Sequence, residues 1–203
     1  MKKPLLLGFL LAATASGASA QTEKGSVMLG SSLSELSFSK SQGGDTKYFS
    51  GALAPNVGVF VADRLALGAQ LGLGYQSRKI TSAGFNSKSN YFEYGIAPFV
   101  RYYFSDASKH KFFGQASYGI TGFTNTYSVN DGYNSNRTTT GSFGGGRASL
   151  GYSYFVVPTV ALEVQPYFDW NNRGTLATSP RNSLGLSVGF QIFLPKGGAA
   201  AAE

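Results

Sequence analysis

The stretch LALGAQLGLGY, Leu65 to Tyr75, sets Leu, Leu, Ala, Leu, Leu and Tyr at odd positions and Ala, Gly, Gln, Gly and Gly at even ones. Alternation of this kind has a period of two, because successive strand side chains point to opposite faces. One face is oily. A soluble strand usually turns its other face to water with Lys, Glu or Thr, whereas here that face is mostly glycine with one glutamine and one alanine, and carries no charge. The polar side is therefore cramped rather than solvated.

The same template, carried outward along the chain, gives eight strands: Gly25 to Phe38, Tyr48 to Val61, Leu65 to Gln76, Asn90 to Phe104, Lys111 to Thr124, Ser142 to Val156, Thr159 to Asn171 and Asn182 to Leu194. Short turns at Ala62-Asp63-Arg64, Ser105 to His110 and Val157-Pro158 alternate with long polar segments at Ser39 to Lys47, Ser77 to Ser89, Tyr127 to Gly141 and Asn172 to Arg181. On the first strand the oily parity shifts after Leu33 to Leu36 and Phe38, which predicts a bulge or an early strand end.

Eight up-and-down strands can close with the oil inside, as a soluble lipocalin-like barrel, or with the oil outside, as a transmembrane one. The small face decides. An eight-stranded barrel is just wide enough for side chains to fill, so Gly, Ala, Ser and Gln suit its lumen. The strands reach the roughly 9 to 11 residues that a tilted strand uses to cross a bilayer, and short turns at one end with long loops at the other match a periplasmic and an extracellular side. Tyr102, Phe104, Phe112, Tyr154 and Phe193 near the short turns, and Tyr48, Phe49, Tyr75, Phe92, Phe168 and Trp170 near the long loops, read as two interfacial girdles.

Composition agrees. Of 203 residues, 27 are glycine, 14% are aromatic and only 13% are charged, against about 25% charged in ordinary soluble domains. The N-terminus, MKKPLLLGFLLAATASGASA, has two lysines, an apolar run and Ala18-Ser19-Ala20, the pattern of a secretory signal peptide over residues 1–20. Its removal takes 17 basic residues to 15 against 10 acidic ones, a mature charge of +5, too mild to suggest nucleic acid as a partner. Residues 21–194 form the barrel domain and 195–203 a short tail. There is no cysteine, so no disulfide framework or lipid-anchored cysteine exists, and after residue 20 no apolar run approaches the roughly 18 residues of a membrane helix.

With the signal peptide, eight alternating strands and a last strand GLSVGFQIFL, the chain resembles the small outer-membrane β-barrel family, the eight-stranded OmpA/OmpX-type barrels of Gram-negative bacteria. The resemblance spans Gln21 to Leu194 and implies an all-β, eight-stranded antiparallel up-and-down transmembrane barrel. It also implies insertion by the barrel-assembly machinery and a monomer surrounded by outer-membrane lipids. The tail PKGGAAAAE after Leu194 departs from the family's aromatic-ended terminus, and nothing resembling the peptidoglycan-binding domain of two-domain members follows.

The few strand charges, Glu93, Arg101, Arg147, Glu163 and Asp169, fall on the inward parity. An Arg facing lipid near the midplane costs about 2–4 kcal/mol, whereas inside it can pair. The fold-back at Pro158 sets Arg147 level with Asp169, and Arg101 and Glu163 both lie near the short-turn end, so one or two lumenal ion-pair clusters are expected. Their expected role is structural, ahead of a proton or ion pathway.

Catalytic and cofactor signals are weak. Gly185-Leu186-Ser187-Val188-Gly189 matches a nucleophile-elbow pattern, but Ser187 lies mid-strand and His110, the single histidine, sits in a short turn at the opposite register. One histidine removes a His-Ser lipid deacylase and a clustered zinc site, and a palmitoyl-transferring barrel, which the size of the chain resembles, needs its histidine at the outer rim. Gly144-Gly145-Gly146 lacks the spacing of a phosphate cradle. Asn136-Arg137-Thr138 is a glycosylation sequon by letters alone, and reads as loop. No catalytic residue, metal or cofactor is assigned.

The long loops carry Lys40, Lys47, Arg78, Lys79, Lys88, Arg137, Arg173 and Arg181 against Asp45 and Asp131, a sum of +6 from eight basic and two acidic residues. Beside phosphate-rich headgroups such a rim is a candidate surface for lipopolysaccharide; a solvated loop without ligand is the competing reading. The expected function is a non-enzymatic barrel with a structural or surface-interaction role, in membrane integrity, adhesion or lipopolysaccharide contact. A narrow channel, a lipid-modifying enzyme and a soluble carrier are the alternatives.

Overall fold

The computed structural model describes residues 22–41, 45–82, 84–105, 109–130, 135–172 and 182–196. The expected signal peptide, most of the tail, and Arg173 and Arg181 lie outside them. Eight strands follow in order: β1 (Val27–Lys40), β2 (Thr46–Ala62), β3 (Leu65–Ser82), β4 (Phe85–Tyr103), β5 (His110–Asn130), β6 (Ser135–Val157), β7 (Val160–Asn171) and β8 (Asn182–Leu194). Each pairs antiparallel with the next, and β1 pairs with β8 from Val27↔Leu194 to Ser34↔Ser187, so the sheet closes into a barrel. Closure satisfies the backbone groups that an open edge would leave unpaired.

The oily parity faces out. Leu67, Leu71 and Leu73 on β3 are 40–49% exposed, and Leu184, Leu186, Val188 and Phe190 on β8 are exposed as well. Between the β3 leucines, Ala66 is fully buried, and Gly68 is tight against Val57 and Phe99. An apolar exterior running round the whole barrel is a surface for acyl chains, not for water.

The parity shift in β1 is a bulge between Ser34 and Ser37, where Glu35 takes a positive φ of 58° and its carbonyl accepts a hydrogen bond from Ser50 Oγ at 2.7 Å. One extra residue turns Leu36 and Phe38 outward after Leu33, which keeps both sides of the bulge greasy toward the exterior.

Two features differ from the sequence expectation. The segments Ser77 to Ser89 and Tyr127 to Gly141 are largely strand: β3 and β4 pair out to Ser82↔Phe85 around Gly84 at φ 74°, and β5 and β6 pair out to Val129↔Ser135. Both faces of these extensions are polar, so they show no alternation, yet the backbone ladder and the Thr, Tyr and Val content sustain pairing without it. The girdles also lose two members. Tyr102, Phe104, Phe112 and Tyr154 are exposed at the short-turn end, and Phe49, Tyr75, Phe92, Phe168 and Trp170 at the loop end. Phe193 is fully buried and Tyr48 lines a lumenal cavity, because both stand on the inward parity of their strands.

Candidate functional site: the lumen and the basic rim

The inward parity changes character along the barrel axis. At the short-turn end it is aromatic. Phe60, Tyr103, Phe113, Phe155 and Phe193 form a collar with Met28, each 0–3% exposed, and ring centroids 5.1–6.2 Å apart. Phe113 needs Gly151 directly across the β5–β6 pair, since any Cβ there would enter the phenyl ring. Residues 22–26 brace the same end: Gly25 N donates to Phe60 O at 2.7 Å, Arg64 N to Thr22 O at 2.7 Å, and Lys24 N to Asp63 Oδ1 at 2.9 Å.

Immediately above the collar lies a charged layer. Arg101 Nη1 donates to both carboxylate oxygens of Glu163, at 2.9 and 3.0 Å, and to Tyr103 Oη at 3.1 Å, while its Nε donates to Gln115 Oε1 at 2.7 Å. Ser153 Oγ donates to Glu163 Oε1 at 2.8 Å, and Gln115 Nε2 reaches Gln70 Oε1 at 3.2 Å. The guanidinium carbon stands 4.1 Å from the Phe113 ring centroid. Arg101 is 2% exposed and Glu163 9%, so both charges are out of water and each depends on the other for its solvation.

A second layer sits nearer the loop end. Arg147 faces Asp169 directly across the β6–β7 pair and donates Nε to Oδ1 at 2.6 Å and Nη2 to Oδ2 at 2.8 Å, with its guanidinium 3.7 Å from the Tyr167 ring centroid. Tyr167 has room because its cross-strand partner is Gly185. Glu93 stands higher on β4, where its Oε1 accepts from Tyr91 Oη at 2.7 Å.

Above the Arg101 layer the lumen opens. A cavity of about 400 Å³ is bordered by Gln70, Glu93, Arg147, Tyr167 and Asp169, and glycines such as Gly72, Gly95 and Gly119 leave its walls thin. A further cavity of about 480 Å³ toward the loop end is lined by Tyr48, Arg78, Tyr91, Asn125 and Tyr127. The barrel is thus a cup, filled at its short-turn end.

The structure matches that of a major outer membrane protein from Thermus thermophilus with a TM-score of 0.55, at 14% identity, over 83% of this chain and 99% of that one. This is the fold of an outer-membrane β-barrel. The N-terminal barrel domain of Pseudomonas aeruginosa OprF (TM-score 0.46, 11% identity, 84% and 98% covered) and Neisserial surface protein A (0.44, 20%, 82% and 95%) also match, with looser superposition. No family model and no curated protein matches the chain in sequence.

In this barrel the rim residues divide by parity. Lys40, Lys47, Lys79 and Lys88 are exposed on the lipid-facing parity of β1 to β4. Arg78 stands on the inward parity and lines the upper cavity, and Arg137 shares the parity of Arg147, opposite Tyr127. Ser187 is 1% exposed in the lumen, where its Oγ lies 3.4 Å from Gln165 O, whereas His110 is exposed on the outward parity with Nδ1 2.6 Å from Tyr152 Oη. The barrel wall separates serine from histidine, so they form no nucleophile and base pair.

Two inward groups escape the sequence reading. Lys111 is 3% exposed at the collar end, and it shares the parity of Phe113 and Gln115, which is the signal that marks it. Glu35 borders the cavity because the bulge places it there, and no periodicity marks such a residue.

Proposed function

We propose that this chain is a non-conducting, non-enzymatic barrel of the outer membrane, with a structural and surface-interaction role: it contributes to membrane integrity and meets lipopolysaccharide or neighbouring surfaces through its basic, strand-extended loop end. The observation that carries the reading is the filled cross-section formed by Arg101, Glu163 and the aromatic collar. An ion would have to displace a paired guanidinium and several fully buried rings to pass. Support for the surface role comes from β5 and β6, of 21 and 23 residues, about twice the 9–11 that a strand uses to cross a bilayer.

Planar-bilayer recording tests this. The wild-type chain should give no steady conductance, and neither should Arg147→Ala. A stable conductance in the wild type that rises with Arg101→Ala would instead establish the narrow channel, which the open upper cavity favours. Cell fractionation with gel migration before and after boiling tests the membrane assignment independently.

A further inference from the structure

The strand register brings four of the rim lysines into one line. Lys40 pairs with Lys47, Lys47 with Lys79, and Lys79 with Lys88, so each lysine of β1, β2, β3 and β4 lies directly opposite the next. All four are exposed on the lipid-facing parity. Neighbouring strands are about 4.8 Å apart, so four ammonium groups line a ridge roughly 14 Å long. Like charges directly opposite one another on a sheet repel and weaken it. Among the described residues no carboxylate forms an ion pair with any of the four, although the exposed Asp45 lies two residues from Lys47, so the row keeps a net positive charge there.

Height and side both point to what supplies it. Lys40 and Lys47 stand two residues beyond Phe38 and Phe49, and Lys79 and Lys88 four residues beyond Tyr75 and Phe92, all exposed aromatics of the same outward parity. At about 3.3 Å per residue, the ammonium groups begin some 7–13 Å along the strands above the aromatic belt, in the headgroup layer. The ridge is one-sided. The described outward positions of β5 to β8 carry no lysine or arginine between mid-strand and the loop end.

We propose that the Lys40-Lys47-Lys79-Lys88 ridge is a lateral docking site for the phosphate groups of anionic lipid in the outer leaflet, and that it orients one side of the barrel toward such lipid. The proposal rests on the lipid-contact part of the reading above and narrows it to one face. Arg78 and Arg137, which stand on the inward parity, take no part in it.

The test uses the folded full-length barrel in phosphatidylcholine vesicles, with spin-labelled phosphatidic acid as the phosphomonoester probe and spin-labelled phosphatidylcholine as the reference. The wild type should restrict phosphatidic acid in preference to phosphatidylcholine, and each Lys→Gln change in the row should lower that preference by up to about fivefold. The quadruple variant K40Q/K47Q/K79Q/K88Q should show none, and its shift in gel migration on boiling should show that it has folded. The pair K47Q/K79Q gives an intermediate loss should the quadruple variant fail to insert. Preference retained in the quadruple variant but lost in R78Q/R137Q/R173Q/R181Q overturns the ridge and leaves basic-rim lipid contact standing. No preference in the wild type overturns both. Release of the probe by millimolar inorganic phosphate would make this a site for soluble anions and overturn the lipid assignment.

Discussion

Arg147 and Asp169 occupy directly opposed positions on β6 and β7 and close a two-pronged ion pair, 2.6 and 2.8 Å, with the guanidinium stacked on Tyr167. Their side chains are 19% and 24% exposed, so water screens the pair in part. Truncating either residue to alanine should therefore destabilise the barrel by about 1–3 kcal/mol, less than a fully buried pair loses. The exchange R147D/D169R should recover part of that loss. Urea unfolding in vesicles, arranged as a double-mutant cycle, measures the coupling; a value near zero would leave the pair without a structural role.

Arg101 and Glu163 make the sharper case. Either Arg101→Met or Glu163→Gln strands a buried partner and should cost about 3–5 kcal/mol. The double variant R101M/E163M removes both charges at once and should be more stable than R101M alone. Equilibrium unfolding of the three variants decides it, and a double variant weaker than both singles contradicts the assignment.

The exterior is tested by one leucine. Leu71 is 49% exposed near mid-strand on β3, facing outward, so Leu71→Arg should cost about 2–4 kcal/mol in a bilayer. Ser117→Ala, a small change on the lumenal parity of β5, should cost under about 1.5 kcal/mol. If Leu71→Arg were neutral in vesicles while Ser117→Ala was severe, the barrel would be inside out.

Gly151 is required by the ring opposite it. Gly151→Val should force the Phe113 ring out of the collar and destabilise the fold by about 1–3 kcal/mol, and the second-site change Phe113→Leu should restore some of it. Thermal unfolding monitored by far-UV circular dichroism follows both variants.

Much of this architecture is readable in residues 65–75, because alternation reports which side of a strand meets oil whatever the rest of the chain does. The same rule extended to Leu33, Leu36 and Phe38 places the β1 bulge. It fails where neither face is oily: Ser77 to Ser89 reads as loop, yet the backbone there keeps pairing to Ser82↔Phe85. Tyr48 and Phe193 depart from expectation for a different reason. Proximity to a strand end suggests an interfacial belt, whereas their parity, already visible in Phe49 and Leu194 beside them, sends them inward. The lysine ridge shows the limit most clearly. Lys40, Lys47, Lys79 and Lys88 are recognisable as basic loop residues, but their alignment exists only in the pairing of four strands, and register across a hairpin whose turn chemistry is weak cannot be counted off the chain.

The seam between β1 and β8 joins residues from opposite ends of the described chain, and it stops at Ser34↔Ser187, one residue short of the bulge at Glu35. Every other hairpin can zip locally, but this junction waits until the final strand has been synthesised and delivered. Closure is thus a quality check written into topology: a nascent or clipped polypeptide lacking GLSVGFQIFL keeps two raw edges and cannot shield its amides from hydrocarbon.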